Sequence, residues 1–331
     1  MRRAYLLIPL GFLFMSLGLV GCSPAPKMWT GAKEGQKKIL VSFPPLYAIT
    51  QAVAGSDAYV LCLLTTQGPH DYQGDQKDLF MVNEADLFIY HGMTLDDQFV
   101  SKMLRNHKNR TLTSFAVGNA LEKKRHDLML HGHHDEGPEH KGHKHGDHDP
   151  HLWLGIPQTV EMTKLIAAQL AELDPANKKG YEKRAAEFVV QLDKLHADGK
   201  AKFKDKKNKK FISMHEAFEY FADADHGFDL TIAGVIQKKP GLDPDAASMA
   251  KLIETCKKGD VRVIAVEPQY SQAQAETLQR TLKKAGIDAR IITLDTLETA
   301  EAGKDQKFNP DPEYYLKRMK ENIDTLAKAL P

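Results

Sequence analysis

An α/β protein of two lobes, each a mostly parallel sheet with flanking helices and the two joined by one long rigid helix, is the fold class this sequence predicts. Three observations predict it. From residue 39 short apolar runs alternate with longer amphipathic ones, as strands and helices do when helices cover a parallel sheet. The same alternation restarts near residue 210. Between the two series, residues 177–202 keep an unbroken helical period with Tyr181, Ala185, Phe188, Leu192 and Leu195 on one face.

In the first lobe KILVS at 38–42 reads as a strand, and a helix begins near Leu46. The continuous apolar run AYVLCLL at 58–64 suits a strand buried on both faces of a parallel sheet. A turn at 65–69 leads to His70, a helix is expected over 76–84, and DLFIY at 86–90 is a strand ending at His91. A helix over 95–106 and a strand over 111–117 precede a histidine-rich tract, and a further helix runs from near Gln158 to Asp174. In the second lobe the strands are 210–214, 231–236, 261–266 and 289–293. Helices are expected over 216–224, 245–258, 272–285 and 311–330. The expected boundaries are a signal peptide at 1–21, a tether at 22–37, a first lobe at 38–176, a connecting helix at 177–208 and a second lobe at 209–331.

The charges nearly cancel, 45 basic against 44 acidic for a net +1, so there is no electrostatic footprint for nucleic acid. The lysines of 200–210 have no aromatic residues interleaved for base stacking and read as a solvated helix end. Arg2 and Arg3 followed by an apolar run over 4–20 read as a secretion signal, too short for a membrane span. The run ends in Leu19-Val20-Gly21-Cys22, which resembles the bacterial lipobox and implies cleavage before Cys22 and lipid attachment there. Several acyl chains on one residue make a stable anchor. The expected location is therefore extracytoplasmic, lipid-anchored to a bacterial membrane. Cys62 in a strand and Cys256 in a helix read as buried free thiols, with no second cysteine near either to build a thiolate site.

Nine of the 15 histidines fall between His126 and His151, mixed with Asp, Glu, Gly and Lys. Such a composition packs no core, so 126–150 is expected as a solvated loop of weak imidazole sites. His151 differs, because the apolar anchor Leu152-Trp153-Leu154 fixes it and Asp149 is close enough to accept from its ring. His70, His215, Glu267 and Asp295 each lie at or just past the carboxyl end of an expected strand, the edge where open α/β sheets bind ligands. If the lobes face each other these residues converge, and His151 completes the set. Three imidazoles and a carboxylate suit Zn2+, whereas Ca2+ and Mg2+ prefer oxygen shells. His215 is expected to open a helix whose dipole keeps the ring neutral. Glu267 is expected behind the ligands, His91 is the main competing imidazole, and His107, His196 and His226 read as surface residues.

The series GPHDY, HDPHLW, HEAFEYF, AVEPQYS and ITLD, spread over nearly the whole mature chain, resembles the solute-binding lipoproteins of zinc and manganese ABC importers, the cluster A-I family, close to its ZnuA type. The resemblance implies metal held between two α/β lobes, with His70, His151 and His215 as imidazole ligands and Asp295 at the place of a fourth, carboxylate ligand. Members tuned to manganese tend to carry Glu at the position of His215, so histidine here leans toward Zn2+, with Mn2+ the alternative. The expected partner is an ABC permease in the cytoplasmic membrane, the chain a monomer and not an enzyme. The fourth ligand stays open among Asp295, Glu267 and water. A zinc hydrolase would need an open coordination position and the His-Glu-x-x-His helix that this chain lacks. A metal-dependent adhesin lipoprotein is the other alternative.

Overall fold

In the computed structural model, residues 28–70, 72–130, 148–238, 242, 244–301 and 309–331 are described. The leader and Cys22, and most of the histidine-rich tract, lie outside the described residues. Two four-stranded sheets, parallel throughout, share one topology. The first has the order β2-β1-β3-β4, built from β1 (Lys37–Val41), β2 (Ala58–Cys62), β3 (Leu87–Tyr90) and β4 (Thr113–Ala116). The second repeats it as β6-β5-β7-β8, from β5 (Lys210–Ser213), β6 (Thr231–Val235), β7 (Val263–Val266) and β8 (Arg290–Thr293). In each sheet the second strand lies on one side of the first and the third on the other. That reversal opens a crevice at the carboxyl edge.

Helices return the chain between parallel strands. In the first lobe α1 (Pro44–Ala54) opens on Pro44-Pro45, whose fixed φ and missing N–H groups suit a first turn, and stops at Gly55 with φ of 56°. It is followed by α2 (Asp78–Glu84), α3 (Asp97–Asn106) and α4 (Val117–Lys124). The expected strand over 111–117 thus gives way to a helix at Val117, a helix that periodicity did not announce. Next come α5 (Ile156–Leu173) and α6 (Lys178–Phe203), the 26-residue helix that joins the sheets. In the second lobe the helix expected from 216 is only the single turn α7 (Glu219–Ala222). Then come α8 (Ala246–Gly259), α9 (Ala273–Lys284) and α10 (Tyr314–Ala329). Asp245 caps α8, its carboxylate accepting from Ser248 N–H at 2.6 Å.

The joining helix is no free strut. Tyr181, Ala185, Phe188, Leu192 and Phe203 on α6 are buried, and Leu195 is half-buried. Arg184 fastens α6 to the end of α1 through the carbonyls of Val53 and Ala54 and to Asp57. One apolar core continues from the first sheet through α5, α6 and α10 to Val263 and Ala265 of the second, while a smaller core of Ile212, Leu252, Ile264 and Leu278 lies under α8 and α9. The segment before α10 also reaches back. Asn309 accepts from Cys62 N–H and donates to the Val60 carbonyl, both at 2.9 Å, along the open edge of β2. Cys62 and Cys256 are buried free thiols, as expected.

Candidate metal centre

Three loops from the carboxyl edges of the strands, and the turn after α4 and its tract, deliver side chains into the space between the sheets. Those of His70, His151, His215 and Glu298 meet there, one ligand atom from each lying within 4.8 Å of all the others. His70 Nε2 is 3.3 Å from His151 Nε2 and 3.3 Å from Glu298 Oε1. His151 Nε2 and His215 Nε2 stand 3.8 and 3.9 Å from that same oxygen. A tetrahedron with bonds of about 2.0–2.1 Å has edges of about 3.3–3.4 Å, so these separations are close to those a zinc ion imposes.

Each imidazole is held by its far nitrogen or its loop. His151 precedes the buried turn Leu152–Leu154, which Trp153 anchors by donating from Nε1 to the Thr296 carbonyl at 2.7 Å. Its Nδ1 and its backbone N–H both donate to Asp149 Oδ1 at 2.8 Å. His215 donates from Nδ1 to Glu267 Oε1 at 2.6 Å, and Gln269 and Thr296 in turn hold Glu267 Oε2. A carboxylate can only accept, so Nδ1 keeps a proton in both rings and the neutral form presents its Nε2 lone pair to the centre. His70 arrives on the loop after β2, and Gly68 allows the approach, since a Cβ there would lie 3.1 Å from Glu298 Oε2.

The electrostatics of the four groups are coupled. Burial disfavours a charged His215, but Glu267 and Glu298 outweigh it and push its pKa up to about 9. Burial likewise opposes ionisation of Glu298, but the facing His70, His215 and His151 bring it down to about 2. The helix dipole expected at His215 does not act, because α7 begins four residues later; Glu267 governs that ring instead. Glu298 Oε1 and His215 Nε2 are buried with no hydrogen-bond partner among the described residues. Each such group costs about 1–3 kcal/mol when left unsatisfied, and a cation shared by both removes the cost.

Of the residues singled out from sequence, His70, His151 and His215 come together, and Asp295 does not join them. Asp295 follows β8 as expected, but its Oδ1 accepts from Leu297 N–H at 2.8 Å and its Oδ2 faces Arg318 Nε at 3.6 Å. Its backbone is clamped by Asn322 of α10. Asp295 therefore shapes the turn, in which Leu297 adopts a φ of 64°, and that reversal swings Glu298 into the cleft. Glu298 is the residue that sequence reasoning missed. Its only sequence signal is a second carboxylate three residues past Asp295, in LDTLET. Glu267 sits behind His215, outside the four converging groups. His91 is wholly buried against Phe43 and Trp153, and burial lowers its pKa to about 3, which makes it a neutral core imidazole.

The sequence matches the family described as zinc-uptake complex component A, periplasmic, over residues 39–329. It is 31% identical to the zinc-binding lipoprotein AdcA of Streptococcus pneumoniae over 329 residues, 95% of this chain and 60% of that protein. Against the high-affinity zinc uptake system protein ZnuA of Bacillus subtilis it is 30% identical over 319 residues, 94% of this chain and 93% of that protein. Among solved structures, a Zn(II)-bound AdcAII variant of Streptococcus pneumoniae matches with a TM-score of 0.73 at 25% identity, covering 90% of this chain and 100% of that one. The chain thus spans less than two thirds of the length of its AdcA relatives, at 60% of the pneumococcal protein.

Proposed function

The chain belongs to the periplasmic zinc-uptake complex component A family, and on that premise we propose that it is the extracytoplasmic solute-binding component of an ABC importer, which captures Zn2+ between its lobes and delivers it to a membrane permease. The observation that carries this reading is the convergence of three imidazole nitrogens and one buried carboxylate within 4.8 Å. Such a donor set satisfies zinc with four protein ligands and leaves no open position for a hydrolytic water. Manganese favours oxygen donors, so three nitrogens favour zinc over it.

His70, His151, His215 and Glu298 are the ligands in this reading, with Asp149 and Glu267 orienting two of the rings. His70 is the most exposed of the four, its side chain 17% accessible against 5%, 2% and 2% for His151, His215 and Glu298. The ion enters and leaves past its loop. The continuous core across α6 resists wide bending of the lobes, so release works through small shifts of the loops bearing His70 and Glu298. Lipid on Cys22 keeps the chain at the membrane, and the histidine-rich tract raises the zinc concentration beside the cleft.

Competitive titration against a chelating indicator, on the chain starting at Ser23, tests the proposal. One tightly held zinc per chain, lost on His215→Ala or His70→Ala, is the expected result. A chain that retains no metal, or that prefers manganese at equal concentration, overturns it.

A further inference from the structure

The imidazoles of the cleft are not all held in the same way. His151 and His215 each give an Nδ1 proton to a buried carboxylate, Asp149 and Glu267. Among the described residues His70 makes its polar contacts through Nε2 alone, to His151 and Glu298. Its aim is therefore set by the backbone that carries it. His70 is also the most exposed of the four converging groups.

That backbone is fastened on both sides of His70. Before it, the Thr65 carbonyl accepts from Ala300 N–H at 2.7 Å, which joins this loop to the chain just past Glu298. After it, the Tyr72 hydroxyl donates to Asp78 Oδ2 at 2.5 Å. Asp78 opens α2, is 1% exposed, and accepts from Asp75 N–H through the same oxygen at 2.7 Å. The Tyr72 ring stands edge-on to the buried Phe99 of α3, the centroids 5.2 Å apart and the planes at 83°. Burial and the bonded carboxylate push the Tyr72 hydroxyl well above an ordinary phenol, so it stays the donor. Burial also raises Asp78, and the two donors, Tyr72 and Asp75 N–H, oppose that rise. A hydrogen bond to an ionised carboxylate is short and about twice as strong as one between neutral groups.

We propose that Tyr72 and Asp78 are positioning residues for the cleft: their hydrogen bond fastens the His70 loop to the first lobe and sets the rate at which the bound ion leaves. The inference rests on the capture reading and on His70 as a ligand. Neither residue touches the centre; both act through the backbone of His70. His70 lies nearer along the chain to Tyr72 than to Thr65, so turning its ring out to solvent pulls on the Tyr72 bond first. With that bond parted, His70 swings off while Asp149 and Glu267 still hold the rings of His151 and His215. The ion then keeps three protein ligands and gains an open position, at which an acceptor can take it. The Tyr72–Asp78 bond does for His70, one step removed, what the two carboxylates do directly for the other rings.

Stopped-flow release of tightly held zinc to an excess of chelator, on the chain from Ser23, tests this. Tyr72→Phe keeps the ring against Phe99 and removes only the hydroxyl. It should speed release about tenfold, the lower end of what a hydrogen bond to a charged group contributes, and leave the association rate unchanged. Asp78→Asn should also speed release, and the double variant should be no faster than the faster single one, because both changes remove the same bond. A merely structural role would instead lower the melting temperature of the metal-free Tyr72→Phe chain and leave its release rate alone. An unchanged release rate in Tyr72→Phe overturns the proposal, as do effects of the two substitutions that multiply in the double variant. A His70→Ala chain that releases zinc as slowly as the parent overturns the ligand reading itself, and this proposal with it.

Discussion

Replacing Glu298 by Gln keeps the shape of the side chain and removes its charge, which isolates what the carboxylate contributes. Burial raises its pKa, but the facing His70, His215 and His151 outweigh burial and bring it to about 2, against an ordinary 4.5. At about 1.4 kcal/mol for each factor of ten, that difference amounts to roughly 3 kcal/mol between the carboxylate and its protonated neighbours. A dication at the centre of the same groups meets the carboxylate at shorter range and in the same buried surroundings. Glu298→Gln should therefore weaken zinc binding by at least about a hundredfold, or roughly 3 kcal/mol. The comparison is Asp295→Asn, whose side chain is engaged with Leu297 N–H and faces Arg318 rather than the centre. It should change affinity by no more than a few-fold while lowering the melting temperature, because the turn before Glu298 loses a strong acceptor. Indicator competition at pH 7.5 reads the affinities, and melting curves with and without zinc read the stabilities. Near-wild-type affinity in Glu298→Gln together with a hundredfold loss in Asp295→Asn would refute the assignment.

Other expectations follow from the same geometry. His215 has a folded-state pKa raised to about 9, so in the metal-free chain its contribution to stability is complete below pH about 6.5 and lost as pH rises toward 9. Zinc must displace that proton, so the zinc-induced rise in melting temperature should grow over the same interval in which the metal-free chain weakens; parallel falls would contradict the pairing with Glu267. Glu267→Gln should cost about 10–100-fold in affinity through loss of control of the His215 ring, measurable by the same competition. Leu130 and Asp149 are already hydrogen-bonded across the base of the tract, so replacing residues 131–147 by a short Gly-Ser linker should leave the tight site and the melting temperature unchanged; loss of tight binding would place a ligand in the tract. Phe188→Ala on α6 should destabilise the chain by about 3–5 kcal/mol in urea unfolding, as a cavity in the core shared by the lobes would.

Much of this architecture was legible because buried parallel strands carry continuous apolar runs. VRVIAV and AYVLCLL announce β7 and β2 without ambiguity, and the face of α6 could be read from its period. The helix α4 escaped because VGNALEKK offers only Val117 and Leu121 as apolar periodic positions, and it follows β4 without a turn. Three imidazoles of the cleft could be placed from strand ends and from the anchor after His151. The carboxylate could not. The choice between Asp295 and Glu298 turns on a backbone reversal at Leu297, stabilised by Asn322 on a helix 27 residues further on. No local pattern encodes which of two nearby acids a distant amide will turn inward. Gly155, just after the LWL turn, has a packing reason: a Cβ there would sit 2.1 Å from Gln158 Oε1 and 3.0 Å from the Cβ of Tyr220.

Asn309 bears on how the chain is made. Among the described residues no strand pairs with the outer edge of β2, and such an edge is a template on which another chain can grow a sheet. Here the amide of Asn309 occupies it, from 247 and 249 residues downstream of the groups it bonds. While the chain is being synthesised, the first sheet must wait for that amide until nearly the last helix has followed. A fragment ending after α6 is therefore expected to be aggregation-prone rather than a smaller stable protein. Late closure of the edge ties completion of the first lobe to arrival of the second, so that partly synthesised chains depend on chaperones in a way the finished one does not.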